Sequence, residues 1–170
     1  IEPFKGKWAL PRGFIHLDEA LDTAVARELK EDTGVVASYL EQLYTFGAPD
    51  RDPRRRVIST AYLRLVRPSQ VELAGGTDAR TAKWHPVQRL PKLAFDHSEI
   101  VSIGLTRLHS KLPWQPVGIE LLPKTFTLTD LQRIYEIILG HELDKRNFRR
   151  KVLSFDVLKS TGETRSGGRR

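Results

Sequence analysis

Residues Gly13 to Val35 read Gly-Phe-Ile-His-Leu-Asp-Glu, then Ala-Leu-Asp-Thr-Ala-Val-Ala, then Arg-Glu-Leu-Lys-Glu-Asp-Thr-Gly-Val. The middle of this stretch predicts a helix from Asp18 to about Thr33, with Asp18 as N-cap and Gly34 as its stop. Leu21, Val25 and Leu29 recur every four residues beside Ala20 and Ala24, giving one apolar stripe to lay on a sheet. Glu28, Glu31 and Asp32 stand at i, i+3 and i+4, so their carboxylates converge on another face. Taken alone, three such carboxylates are most simply a solvated acidic face. Taken together they form an oxygen-rich set suited to a hard cation, Mg²⁺, whose free positions hold water or substrate phosphate. A metal there polarises a phosphoryl group and activates an attacking water.

Working outward, composition removes several classes of protein. The chain has 170 residues, 39% hydrophobic and 29% charged, enough for one large domain or two small ones. No apolar run approaches the roughly 20 residues of a membrane-spanning helix, so a soluble globular protein with no membrane partner is expected. With no cysteine there is no disulfide framework, thiolate metal site or cysteine nucleophile. The first residue is Ile1 and methionine is absent, so the sequence is not expected to begin at a natural start.

The net charge of +7 is unevenly placed. Residues 1–144 hold 19 Lys and Arg against 19 Asp and Glu, whereas residues 145–170 hold 9 against 2. A cationic excess packed into a short segment raises local potential and attracts a polyanion. Nucleic acid is therefore the leading partner.

From Arg56 to Val66 the β-branched and aromatic residues predict a largely buried strand, and a second strand-like piece ends at Trp84. Asp96 to Leu112 reads as a helix. Pro113, Pro116 and Pro123 then break the pattern, placing a boundary between residues 1–117 and 118–170. In the second part, Thr129 to Leu139 is an amphipathic helix, Thr129 and Gln132 have capping-box spacing, and Gly140 ends the helix. Asp144 to about Phe155 forms a further helix with Phe148, Val152 and Phe155 inward.

That last helix is basic on its other side. Lys145 with Arg149, Arg146 with Arg150 and Asn147 with Lys151 are i, i+4 pairs, and like charges so spaced are mutually unfavourable until a polyanion relieves them. Helix, short turn and a second helix bearing Asn and Arg is the outline of a helix-turn-helix, whose second helix enters the major groove. Lys145, Arg146, Asn147, Arg149, Arg150 and Lys151 are its candidate DNA contacts. Arg165, Arg169 and Arg170 on the Gly-rich tail would belong to a wing. A solvated basic helix with a loose tail is the plainer alternative.

The spacing Gly13, five residues, Glu19, seven residues, Arg27-Glu28-Leu29-Lys30-Glu31-Asp32-Thr33-Gly34-Val35 resembles the Nudix box of the Nudix hydrolase superfamily. Asp32 stands where that pattern has Glu, and Arg12 where a glycine usually precedes Gly13. The resemblance implies an α+β protein built on a Nudix α/β/α sandwich with a mixed sheet, Mg²⁺ on Glu28, Glu31 and Asp32, and Arg27 paired with Glu19. Glu28 and Glu31 are then the catalytic candidates if the site is active. Leu43-Tyr44-Thr45-Phe46-Gly47, Arg51-Asp52-Pro53-Arg54, Leu93-Ala94-Phe95-Asp96-His97 and Asn147-Phe148-Arg149-Arg150 are similar to one branch, the Nudix-related transcriptional regulators, which join a Nudix domain to a winged helix-turn-helix. That resemblance implies a cytoplasmic bacterial homodimer that represses NAD-metabolism genes at a double-stranded DNA operator and senses ADP-ribose or a related nucleotide. It also implies that the box lies further into the family's chains and that the wing continues past Arg170. The shorter Asp32 and bulkier Arg12 leave turnover open, and an ADP-ribose pyrophosphatase, or both activities in one protein, is the alternative.

Arg12, Arg27, Glu19, Arg51 and Arg54 are the expected ligand-binding residues, with Arg51 and Arg54 on a Pro-containing loop that can grip a phosphate, a solvated exposed loop being the equal alternative. His97 is expected to cap or orient the helix that follows, with a base or ligand contact as the alternative. Trp84 and Trp114 are expected in core packing, with adenine stacking as the alternative.

Overall fold

The structure is a computed structural model that describes residues 4–33, 39–67 and 82–163, apart from the side chains of Leu29, Asp32, Thr33 and Tyr39. It forms two compact units, Ile1–Leu105 and Thr106–Arg170.

In the first unit, helix α1 (Leu21–Thr33) is followed by strands β1 (Tyr39–Phe46) and β2 (Ser59–Leu65) and by the start of helix α2 (His97–Lys111), whose residues from Thr106 on belong to the second unit. The expected helix was to begin with Asp18 as its cap. It begins three residues later because Glu19, one residue beyond Asp18, turns its carboxylate back onto the His16 N–H and the Arg27 guanidinium. Ala24 on the apolar stripe is buried, as the periodicity requires.

β1 and β2 pair antiparallel, with Tyr39 opposite Leu65 and Phe46 opposite Ser59. The register slips between Gln42 and Tyr44, a bulge that adds one residue to β1. Leu43 and Phe46 are buried, while Tyr44 between them is exposed. Gly104 of α2 lies over this face, where an added Cβ would sit 3.5 Å from Leu43 Cδ2. The segment before α1 is held by a parallel bridge of Trp8 to Leu93: Trp8 N–H donates to the Lys92 carbonyl at 3.3 Å and Ala94 N–H to the Trp8 carbonyl at 2.8 Å. Among the described residues β1 and β2 form a two-stranded antiparallel sheet, and the parallel Trp8–Leu93 bridge is isolated from it. The strand-like piece ending at Trp84 falls mostly on residues 68–81, outside the described residues.

The second unit contains a 3-10 turn (Val117–Leu121), helix α3 (Leu128–Leu139) and helix α4 (Lys145–Ser154). Leu112, Leu131, Tyr135, Phe148 and Val152 form its buried core. Burying one such large side chain contributes roughly 1.5–3 kcal/mol, so this small cluster sets the packing of α3 on α4. Gly118 allows the 3-10 turn to approach α3 closely: a Cβ there would lie 2.9 Å from Ile134 Cγ2.

The capping box of α3 is Thr127 with Asp130, two residues ahead of the expected pair. Asp130 N–H donates to Thr127 Oγ1 at 3.1 Å and Thr127 N–H to Asp130 Oδ2 at 3.0 Å. Gln132 is instead turned to the far end of the helix, donating to Glu136 Oε1 and the Leu143 carbonyl. Gly140 ends α3 in the left-handed region at φ 75°, where glycine carries no Cβ penalty. Asp144 caps α4, accepting from Asn147 N–H at 2.8 Å.

Candidate functional site

In the first unit one guanidinium organises the carboxylates. Arg27 donates from Nε to Glu19 Oε2 at 3.1 Å, from Nη2 to Glu19 Oε1 at 2.6 Å and to the Phe14 carbonyl at 3.0 Å, and from Nη1 to Glu28 Oε1 at 2.8 Å. Glu31 Oε1 lies 3.7 Å from the same Nη1. The bond from Arg27, helped by the His16 N–H, lowers the Glu19 pKa to about 2, and the pairing with Glu19 and Glu28 raises that of Arg27. The expected Arg27–Glu19 clamp of loop to helix is therefore present, and it reaches the two catalytic candidates as well.

Gly13 explains its own place in the motif. A Cβ added there would meet Glu28 Cδ at 1.8 Å, so the glycine's bare backbone is what seats that carboxylate. Glu28 and Glu31, facing a shared Arg27 nitrogen, supply two adjacent carboxylates, a donor set that fits a hard divalent cation. Among the described residues no three metal-ligating side chains gather, and the third expected ligand, the Asp32 side chain, lies outside the described residues.

A second cluster surrounds Phe95, which adopts a left-handed φ of 54° just before α2. Arg12 and Arg54 place their guanidinium carbons 5.7 and 5.3 Å from its ring centroid, and Phe4 packs on it at 4.4 Å. Arg12 is exposed. Arg54 holds Asp52 through Nε at 2.9 Å and Nη2 at 2.8 Å, which keeps the Asp52 carboxyl well below the usual carboxylate range. Arg51 is placed differently: its side chain is only 6% exposed, grips Asp96 with two bonds of 2.7 Å and donates to Ser59 Oγ at 2.6 Å. It ties the β1–β2 loop to the start of α2, so of Arg12, Arg51 and Arg54 only Arg12 and Arg54 are exposed.

His97 is buried and its Nδ1 accepts the Leu10 N–H at 2.9 Å, which fixes the neutral tautomer with the proton on Nε2. Burial lowers its pKa; Arg51 and Arg12 add to that and Asp96 opposes it. This bond joins the segment before α1 to the first residue of α2. Trp84 and Trp114, expected in core packing, are 54% and 79% exposed instead. Each sits by prolines in an irregular connection, where no periodic face carries the ring inward.

In the second unit, Lys145, Arg146, Asn147, Arg149, Arg150 and Lys151 are all exposed on α4, opposite buried Phe148 and Val152. The helix contains no acidic residue, and the ion pairs that join Arg27, Arg51, Arg54 and His16 to carboxylates involve none of these six. Arg165, Arg169 and Arg170 lie outside the described residues. Two supporting pairings escaped the sequence reading. Asp96 is the partner of Arg51, and Glu136 accepts the Leu143 N–H at 3.0 Å, closing the turn between α3 and α4. The pairing of Glu136 with Leu143 spans a helix end, so no helical spacing announces it.

Residues 1–102 match the NUDIX domain family and residues 118–170 match the NrtR DNA-binding winged helix domain. The chain is 37% identical over 174 residues to the ADPR responsive transcriptional repressor NtrR of Acinetobacter baylyi, covering 99% of this chain and 68% of that one. It resembles the crystal structure of Shewanella oneidensis NrtR with a TM-score of 0.82 and 36% identity, over 99% of this chain and 79% of that one. The same Shewanella protein complexed with a 27mer DNA matches with a TM-score of 0.81 and 36% identity, over 98% and 78% of the two chains. Its NUDIX domain complexed with ADP ribose matches with a TM-score of 0.51 and 37% identity, over 64% of this chain and 72% of that one. The ADP-ribose pyrophosphatase of Methanocaldococcus jannaschii is 44% identical over 99 residues, 58% of this chain and 57% of that one.

Proposed function

The chain belongs to the NUDIX family, in the branch that carries the NrtR DNA-binding winged helix domain, and on that premise we propose that it is a nucleotide-responsive transcriptional repressor. Residues 1–117 sense ADP-ribose or a related nucleotide, and residues 118–170 bind a double-stranded operator of NAD-metabolism genes. The observation that carries this reading is the face of α4: six exposed polar residues, five of them cationic, with no carboxylate of their own helix beside them. A family relative that only hydrolysed nucleotides would have no use for it.

Arg12 and Arg54 supply the exposed cations for the ligand's phosphates, while Arg51, Arg27 and Glu19 position the loops around them. A divalent cation fits Glu28 and Glu31, and its identity is proposed as Mg²⁺ with Asp32 as third ligand; when bound it would supply charge neutralisation for the pyrophosphate. A homodimer, acting in the cytoplasm where its operator lies, gives the ligand two arrangements of the paired reading helices to choose between. Ligand changes DNA affinity only if it binds those arrangements unequally, and DNA then changes ligand affinity by the same factor.

A mobility-shift titration on the DNA upstream of the chain's own operon, with and without ADP-ribose, tests the proposal. Ligand should shift the midpoint severalfold, and the Arg149→Ala, Arg150→Ala double variant should lose the duplex while keeping ADP-ribose. A duplex midpoint indifferent to ligand would remove the sensing role. The likeness to an ADP-ribose pyrophosphatase favours a second reading, that turnover persists. Release of AMP and ribose 5-phosphate, abolished in Glu31→Gln, would establish it. No product above the buffer rate would leave a sensor alone.

A further inference from the structure

Resting on the reading of α4 as the DNA-contacting helix, we infer that Arg150, held by Asn147, is the base-reading pair and that it selects a guanine. At 3.6 residues per turn, the direction opposite Phe148 and Val152 falls on Arg146 and Arg150, with Asn147 beside Arg150. Lys145, Arg149 and Lys151 lie toward the flanks. Side chains that point straight away from the core reach the groove floor, and those on the flanks meet the phosphate walls, so the six do not share one task.

The hydrogen bonding separates Arg150 further. Its Nη2 donates to Asn147 Oδ1 at 2.9 Å, joining two exposed side chains one helical turn apart. Asn147 is itself fixed at its backbone, whose N–H donates to the capping Asp144 carboxylate at 2.8 Å. The pair is thereby arranged before any ligand arrives. With Asn147 Oδ1 turned toward Arg150, the groups left for a partner are chiefly donors: both amide hydrogens of Asn147 and the remaining guanidinium hydrogens.

A donor surface discriminates among base pairs. In the major groove guanine offers two acceptors, N7 and O6, whereas adenine pairs an acceptor with a donor, cytosine presents a donor and thymine a single acceptor with a methyl group. The bidentate match of a guanidinium is to guanine. An unpaired Asn would favour adenine through its own carbonyl, but here that carbonyl faces Arg150. The first two turns of a recognition helix are also where base edges are contacted, and both residues lie there.

The test uses the full chain and a duplex selected by the wild type from a random-sequence pool, followed by replacement of each base pair in turn. Wild type should lose roughly 5- to 150-fold when one guanine is replaced. Arg150→Ala should bind parent and guanine-substituted duplex equally. Arg150→Lys keeps the charge and loses the fork, so discrimination should go while the salt dependence stays. Asn147→Ala should lose part of the discrimination, because it releases Arg150. Lys151→Ala should weaken all duplexes alike and lower the salt slope by about 1. If Arg150→Ala retains the wild-type pattern, or loses it at an A·T pair, or weakens every duplex evenly, the assignment is overturned. A wild type that selects no sequence and binds no duplex overturns the DNA-binding reading and this assignment with it.

Discussion

α1 and α4 are both amphipathic helices with one sign of charge gathered on a face, and they treat that charge in opposite ways. On α1 the carboxylates are answered from within: Arg27 reaches Glu19, Glu28 and Glu31, and the Gly13 backbone seats Glu28. On α4 the cations have no carboxylate on their own helix and stand in solvent. An internally balanced face is preorganised for a small ligand, because little must move when the ligand binds. A face left unbalanced is stabilised by what arrives from outside, and its affinity is governed by salt. On the proposed function, the same physical property separates the sensing site from the DNA-reading site within one chain.

The contrast can be strained from either side. The largest effect is expected from the core under α4. Leu131→Ala removes a fully buried side chain and should cost about 2–5 kcal/mol of stability in thermal unfolding. Duplex binding should fall with it while ADP-ribose binding stays; parallel loss of both would mean that the two units do not work separately. Next is Gly13→Ala, whose methyl displaces the flexible end of Glu28 without touching the core. Calorimetry should show ADP-ribose binding about 10- to 100-fold weaker with little change in melting temperature, the loss expected of one contact to a charged group. Unaltered binding would remove Glu28 from the ligand site.

A smaller effect belongs to the cap. Thr127→Ala deletes one half of the box with Asp130 and should cost about 1 kcal/mol, whereas Thr129→Ala should be close to silent in the same denaturant series. The smallest is a pH slope. The His97 pKa in the folded protein lies below its free-chain value of 6.5, chiefly through burial, so folding favours the neutral ring. The stability this provides is present above about pH 6.5 and is lost as pH falls below it, because the unfolded chain takes up the proton first. Denaturant midpoints should therefore fall between pH 7 and 5. His97→Gln, which keeps an acceptor for the Leu10 N–H and has no ring to protonate, should flatten that slope.

Much of this was legible in the residues. The nearness of Glu28 and Glu31 on α1 was legible, because i, i+3 spacing is a statement about faces. α4 was legible from its stripe, its Asp144 cap and its concentration of charge. β1 escaped periodicity because the bulge at Leu43 breaks the alternation that identifies a strand. The start of α1 was misplaced because Asp18 is a good cap by type, while Glu19 makes the stronger bonds. Thr129 and Thr127 are alike in sequence terms, and only the chain's path decides which meets its partner at N3. Arg51 read as an exposed loop cation because its partner, Asp96, is far away in sequence and nothing local announces the pair.

The most direct test of the contrast is the salt dependence of duplex binding by the full chain, read as log affinity against log salt. About three phosphate contacts from each of two paired α4 helices, about six in all, predict a slope near −5, made shallower in Lys151→Ala. A flat line in the wild type would show that the α4 cations do not meet a nucleic acid backbone.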